Sequence, residues 1–74
     1  MLLRLSVVTE KDEHGYYAYC PALEGCQTQG DTPEEIEHNI REAISLYLST
    51  LSEPEKQELL DREIQATVLE VQVA

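Results

Sequence analysis

Hydrophobic and polar residues follow two different periods along this chain, and each period predicts its own kind of element. Residues 2–8 are mostly apolar and partly alternating, residues 10–15 form a charged turn, and residues 16–20 are rich in β-favouring side chains. A shorter alternation over residues 26–29 predicts a third strand. Short connections join the three runs, so the pattern predicts an antiparallel meander.

A helical period replaces this alternation after residue 32 and predicts a helix over about residues 33–51. We expect Thr32 to cap the helix, Pro33 to occupy its first position and Glu35 to complete a capping box. One apolar stripe then recurs at helical spacing. Its members are Ile36, Ile40, Ala43, Ile44, Tyr47, Leu48 and Leu51. The stripe predicts that this helix packs on one face of the sheet.

The remainder of the chain predicts a short helix and a last strand. Residues 52–63 favour a helix capped by Ser52, and residues 64–74 alternate as a strand does. The apolar members of that alternation are Leu69, Val71 and Val73. The predicted fold class is therefore α+β, in the order β-β-β-α-β with the short helix before the last strand. That strand joins the same sheet or pairs with a neighbouring copy of the chain.

The length of the chain limits what it can build. Its 74 residues predict a single domain, residues 1–74, with a thin core. Small domains often gain the missing burial by oligomerising, so we expect a homo-oligomer, a dimer or a tetramer. No stretch approaches the roughly 20 apolar residues that cross a bilayer, and the first residues lack the order of a signal peptide. The expected location is the cytoplasm, with no membrane partner.

The charge of the chain favours a basic protein over a nucleic acid as a partner. Its formal net charge is −10, from five basic and fifteen acidic side chains. Nucleic acids are polyanions that basic side chains bind, so we expect no direct DNA binding. A basic protein partner is electrostatically favourable, because opposite fields accelerate encounter. The alternative is that the charge serves only solubility.

The two cysteines do not have the spacing of a metal site. Cys20 and Cys26 are six positions apart, whereas zinc sites use closer pairs and four ligands. His14 falls in a turn and His38 on the polar side of the predicted helix. A thiol nucleophile also lacks a neighbouring cationic group. We therefore predict no metal, no cofactor and no catalytic residue, and interpret both cysteines as small, half-buried strand residues.

Other candidate residues indicate a binding surface. Tyr17 and Tyr19 share one face of the second predicted strand, since side chains alternate across a strand. We predict that a protein partner contacts these tyrosines together with the acidic side chains Glu24 and Glu34. The glycines and prolines lie between the predicted elements or at their starts, and their spacing does not match the motif of a phosphate-binding loop.

The stretch from residue 15 to residue 48 resembles the N-terminal domain of HicB-like antitoxins. The resemblance rests on a pattern of strand residues, proline, Leu-x-Gly-Cys and Gly-Asp-Thr before an amphipathic helix. The positions that carry this fold signature are Gly15, Pro21, Gly25, Cys26, Gly30, Asp31, Thr32 and Pro33. The resemblance implies a partial RNase H-like fold that lacks the catalytic carboxylates of that enzyme, and a tendency to form oligomers.

The resemblance also implies a function. Such antitoxins cover a small basic HicA-type toxin that cleaves mRNA, and full-length members add a DNA-binding segment. This chain departs from that pattern because only a strand is predicted after residue 63, so we expect no separate DNA-binding domain. One alternative is an orphan homo-oligomeric domain with another protein partner. Another is a residual RNase H-like nuclease that would need Glu10 and Glu70 on neighbouring strands to bind magnesium.

Overall fold

The fold is α+β, as the sequence predicts. The computed structural model of the chain describes residues 3–74. Its elements in chain order are β1 (Val8–Asp12), β2 (Gly15–Tyr19), β3 (Gln27–Gly30), α1 (Pro33–Ser49) and α2 (Glu53–Leu60). The strands form one antiparallel sheet in the order β1-β2-β3, so the predicted meander is confirmed.

The first hairpin is tighter than the charged turn predicted over residues 10–15. β1 continues to Asp12, and only Glu13 and His14 form the turn before β2 begins. The backbone N–H of His14 donates a hydrogen bond to the Asp12 carboxylate at 2.8 Å, which closes the turn locally. The predicted start of the turn is wrong because charged residues also suit an exposed edge strand, and β1 is an edge of this sheet.

The first strand is displaced along the sequence relative to the prediction of residues 2–8. Residue 2 lies outside the described residues, and residues 3–7 precede the ladder, which starts where Val8 pairs with Tyr19. Pro21 follows soon after Tyr19 and cannot donate a ladder hydrogen bond, so β2 offers no partner for residues 3–7.

Helix α1 begins where the capping signal places it and ends at Ser49, slightly before the predicted end. The Thr32 hydroxyl accepts a hydrogen bond from the Glu35 backbone N–H at 3.1 Å, and Pro33 is the first helical residue. The Glu35 side chain makes no return bond to the Thr32 backbone, so the Thr32 cap is confirmed but the predicted capping box is wrong. The helix lies over β3 and β2 and places Ile36 and Ile40 in the core. The buried apolar residues are Ala18, Cys20, Ala22, Leu23, Cys26, Ile36 and Ile40.

The end of β3 approaches α1 so closely that only glycine fits there. A Cβ atom built on Gly30 would lie 2.9 Å from the backbone nitrogen of Ile36. The Asn39 side-chain amide also donates to the Gln29 carbonyl at 2.9 Å. The helix and the sheet are therefore joined at one corner by backbone contact and a hydrogen bond.

Beyond α1, the short helix is confirmed but the last strand is not. Ser52 and Glu55 form a reciprocal capping box at the start of α2. The guanidinium of Arg62 donates to the Ala22 carbonyl at 3.2 Å, and Ile64 packs against the core. Residues 65–74, which we call the arm, are exposed and form no strand in the described chain.

The prediction that this last segment joins its own sheet is therefore wrong. Alternation gives residues 65–74 the pattern of a strand, but a strand exists only where its backbone pairs with a free edge. The other expectation, pairing with a neighbouring copy, stays a prediction.

Candidate protein-binding surface

The sheet has one face under α1 and one face that no described element covers. Ala18 is fully buried, and Tyr16 packs against the same core. Because side chains alternate along a strand, Tyr17 and Tyr19 project from the opposite face. The predicted shared face of these two tyrosines is confirmed.

The two tyrosines form a contacting pair on this face. Their ring centroids are 5.8 Å apart with planes inclined by 40°, and both side chains are half-buried. The Tyr17 hydroxyl donates to the Gln27 side-chain oxygen at 2.6 Å. Their cross-strand neighbours complete a surface that we call the tyrosine face: Val8, Glu10, Tyr17, Tyr19, Gln27 and Gln29. It combines aromatic area with hydrogen-bonding groups, as protein interfaces do.

The connection between β2 and β3 holds Glu24 beside the tyrosine face. Three main-chain hydrogen bonds shape it, from Cys20 to Cys26 at 3.1 Å, from Leu23 to Cys20 at 3.0 Å and from Cys26 to Leu23 at 3.0 Å. Gly25 has φ of +79°, a left-handed conformation that glycine adopts without strain. Glu24 and both tyrosines line one shallow hollow of about 230 Å³.

Glu34 is not part of this grouping. It lies exposed in the first turn of α1, in the layer that packs against the other face of the sheet. The structure therefore brings together three of the four predicted contact residues and leaves the fourth apart. Tandem Glu34 and Glu35 suit the positive end of the helix dipole, which accounts for their position without a partner.

The cysteines occupy the core. Cys20 and Cys26 are buried free thiols that lie just outside β2 and β3, so the prediction of half-buried strand residues is wrong. Burial, and then the neighbouring Cys20, raise the pKa of the Cys26 thiol, which favours its protonated and unreactive form. Within residues 3–74 there is no cluster of three or more His, Cys, Asp or Glu side chains able to hold a metal ion.

A second surface feature was not anticipated from the sequence. A groove of about 740 Å³ runs between the β1 side of the sheet and α1. We call it the β1–α1 groove and define it by Leu5, Val7, Thr9, Ile36, Ile40 and Ile44. The partial alternation of residues 2–8 is visible in the sequence, but it predicts a paired strand and not one wall of a groove. Residues 3–7 precede the β1–β2 ladder because the hairpin register begins it at Val8. The sequence pattern does not determine that register.

Sequence comparison agrees with the fold signature. Residues 5–72 match the profile of the family described as HicB_like antitoxin of bacterial toxin-antitoxin system. The chain belongs to this HicB-like antitoxin family. The match runs through most of the arm, so the arm is part of the family domain.

Relatives from bacteria and archaea are similar to the same region. A UPF0150 protein of Helicobacter pylori is 51% identical over 51 residues, which cover 69% of this chain and 71% of the relative. One from Synechocystis is 53% identical over 47 residues, covering 62% of this chain and 60% of the relative. One from Archaeoglobus fulgidus is 39% identical over 59 residues, covering 78% and 86% respectively. No solved structure matches this chain, so the RNase H-like relationship stays a prediction.

Neither helix could span a membrane: within residues 3–74, none is long and apolar enough to cross a bilayer.

Proposed function

We propose that this HicB-like chain binds a small basic HicA-type toxin through the tyrosine face and neutralises it by covering the toxin's mRNA-cleaving site. Membership of the antitoxin family supports a toxin as the partner. The observation that carries the choice of surface is the contacting tyrosine pair on the uncovered side of the sheet.

The tyrosine face has the properties of a protein contact site. Tyrosine is enriched among residues that dominate binding energy, because it offers a large rigid area and a polar tip. Tyr17 is already held by Gln27, so little side-chain freedom remains to be lost when a partner binds. The glutamine amides beside the rings supply further donors and acceptors.

Charge supports the basic nature of the partner. Glu10 lies directly across the ladder from Tyr17, and Glu24 shares the hollow with both rings. The net charge of −10 gives the whole chain a field that attracts a basic protein and repels nucleic acid. The proposal therefore assigns residues 1–74 to one protein-binding domain that acts in the cytoplasm without contacting DNA directly.

No observation in the described residues specifically favours either of the two alternative functions. The nuclease alternative needs Glu10 and Glu70 on neighbouring strands, but Glu70 lies in the arm and outside any strand of the described chain. The orphan-domain alternative differs from the proposal only in the identity of the protein partner, so a binding experiment separates the two.

Co-expression tests the proposal directly. The chain is affinity-tagged and produced in its own host, together with any small basic protein that is encoded beside its gene, and the captured protein is identified by mass. We expect a stable complex and relief of the growth arrest that the basic protein causes alone. Capture of no basic protein, with growth arrest unrelieved, would overturn the toxin as the partner.

Paired variants then test the surface. Replacing Tyr17 and Tyr19 together with alanine, or changing Glu24→Lys, should weaken binding at least tenfold, because the anchor area or the charge match is lost. Glu42→Lys is the matched control, since it makes the same charge change on the exposed side of α1. Glu34→Lys tests whether the partner also reaches the helix layer. Equal affinity of the Glu24 and Glu42 variants, with the tyrosine variant unimpaired, would place the contact elsewhere.

A further inference from the structure

The arm exposes four large apolar side chains to solvent. Val68 is 97% exposed, Leu69 77%, Val71 72% and Val73 84%. Three of them, Leu69, Val71 and Val73, alternate along one side of the segment. Contiguous exposed apolar residues with strand spacing mark a surface that another element covers.

The β1–α1 groove has the complementary shape. No strand among residues 3–74 pairs with the outer edge of β1, which leaves its backbone donors and acceptors open. On the inner side of that edge, α1 presents Ile36, Ile40 and Ile44 at four-residue spacing. An added strand at this edge would hydrogen-bond to β1 and place alternate side chains beneath the helix.

The dimensions of the chain indicate how much surface remains to be covered. It exposes 6295 Å², whereas a monomeric protein of 8.4 kDa exposes about 4,600 Å² by the usual scaling. Its radius of gyration is 14.4 Å, against about 11 Å for a compact domain of this length. The excess of about 1,700 Å² exceeds the roughly 800 Å² that each partner contributes to a stable interface.

Charge permits the arm to approach a second copy. The whole chain carries −10, but Glu70 is the single charged residue in the arm. At the groove, Glu37 and Arg41 contact each other at 3.2 Å and neutralise each other. The arm and the groove thus carry little net charge with which copies of this acidic chain would repel each other.

We propose that the arm of a second copy adds a strand to the free edge of β1 and places Leu69, Val71 and Val73 in the β1–α1 groove. The exchange is reciprocal, so each copy donates one arm and accepts one. A two-fold pair of this kind closes on itself and leaves neither an open groove nor an exposed arm. This inference concerns the chain alone and does not depend on a toxin.

The second copy is a better occupant than the chain's own arm because a single chain leaves both surfaces open. Arg62 and Ile64 hold the chain to its own body just before the arm begins. Beyond that anchor the arm lies outside the groove, although both surfaces are present in the same molecule.

The first test measures mass in solution. Sedimentation equilibrium of the full chain should give twice 8.4 kDa, and the double variant Leu69→Asp, Val71→Asp should give 8.4 kDa. The double variant Val68→Asp, Gln72→Asp is the matched control, because it introduces the same two charges at the alternate positions of the arm and should remain a dimer. A monomeric unaltered chain, or a dimeric double variant, would overturn the proposal.

The second test is complementation, which a general loss of folding cannot imitate. Val7→Asp damages the groove at a partly exposed position outside the strands and keeps the arm intact. This variant and the arm double variant should each be monomeric and folded by circular dichroism. Mixed, they should form a heterodimer through one intact arm and one intact groove. Failure of the two variants to form a heterodimer would contradict the exchange of arms between copies. So would amide hydrogen exchange in which the arm is equally protected at all protein concentrations.

Discussion

The body of the molecule and its arm both contain segments that the sequence predicts as strands, but only the body forms strands and buries apolar side chains. Among residues 3–74, the buried apolar residues all lie in the range from Ala18 to Ile40, in the sheet, its connections and the first part of α1. The arm alternates between Leu69, Val71, Val73 and the polar residues between them, yet it buries none of its large apolar side chains. The difference is one of partners: β2 lies between two strands, whereas the arm has no strand beside it in the single chain. Alternation therefore indicates a capacity to form a strand, and a free edge determines where that capacity is used.

The largest expected effect comes from removing apolar atoms from the body. Ile40→Ala should lower the free energy of unfolding by about 2–5 kcal/mol, because it leaves a cavity between α1 and the sheet. For a thin core this loss approaches the whole stability of the domain. Urea denaturation followed by circular dichroism measures it.

The matched change in the arm is Leu69→Ala. In dilute protein it should alter the free energy of unfolding by less than about 0.5 kcal/mol, since Leu69 is 77% exposed. At concentrations where copies associate, the same variant should lose stability with the dimer. Equal costs for the two variants in dilute protein would show that the arm is buried in its own chain.

Adding atoms separates the two regions in the opposite direction. Gly30→Ala should lower the free energy of unfolding by about 1–3 kcal/mol, because its Cβ would lie 2.9 Å from the backbone of Ile36 and the helix must shift. Ala66→Val adds two methyl groups to the exposed arm and should be near neutral in dilute protein. Thermal melts of both variants provide the comparison, and a neutral Gly30→Ala would mean that α1 sits less tightly on β3.

The elements that local signals define were predictable from the sequence. Thr32 and Pro33 fix the start of α1 through the hydroxyl cap and the φ angle of proline, which act within one turn, so their pattern is sufficient. The shared face of Tyr17 and Tyr19 follows from the period of a strand. These predictions needed no knowledge of the rest of the fold.

Features that depend on strand pairing or on packing between layers do not follow from the sequence pattern. The extent of β1 follows from its register with β2, so Glu10 to Asp12 were assigned to a turn. The prediction that groups Glu34 with the tyrosines rests on its charge, and charge does not show which layer an acidic residue occupies. The last strand was predicted from alternation, which does not identify the edge that it pairs with.

The smallest effect lies in α2, between the body and the arm. Hydrogen bonds from Ser52, first from its backbone N–H, lower the pKa of Glu55. A carboxyl whose pKa is lower when folded stabilises the folded state at pH values above its unfolded pKa. That contribution is present at neutral pH and disappears as the pH falls through about 4 and below. Urea midpoints measured between pH 7 and pH 3 should therefore fall slightly less for Glu55→Gln than for the unaltered chain, because the amide does not titrate.

Ser52→Ala provides the second arm of this test. It removes the hydroxyl partner but keeps the backbone N–H, so the pKa of Glu55, followed by NMR, should move part of the way back towards 4.5. Identical pH profiles for Glu55→Gln and the unaltered chain would show that the capping box does not connect α2 to the stability of the body. In that case the anchor of the arm would rest on Arg62 and Ile64 alone, since these two residues join the segment after α2 to the core.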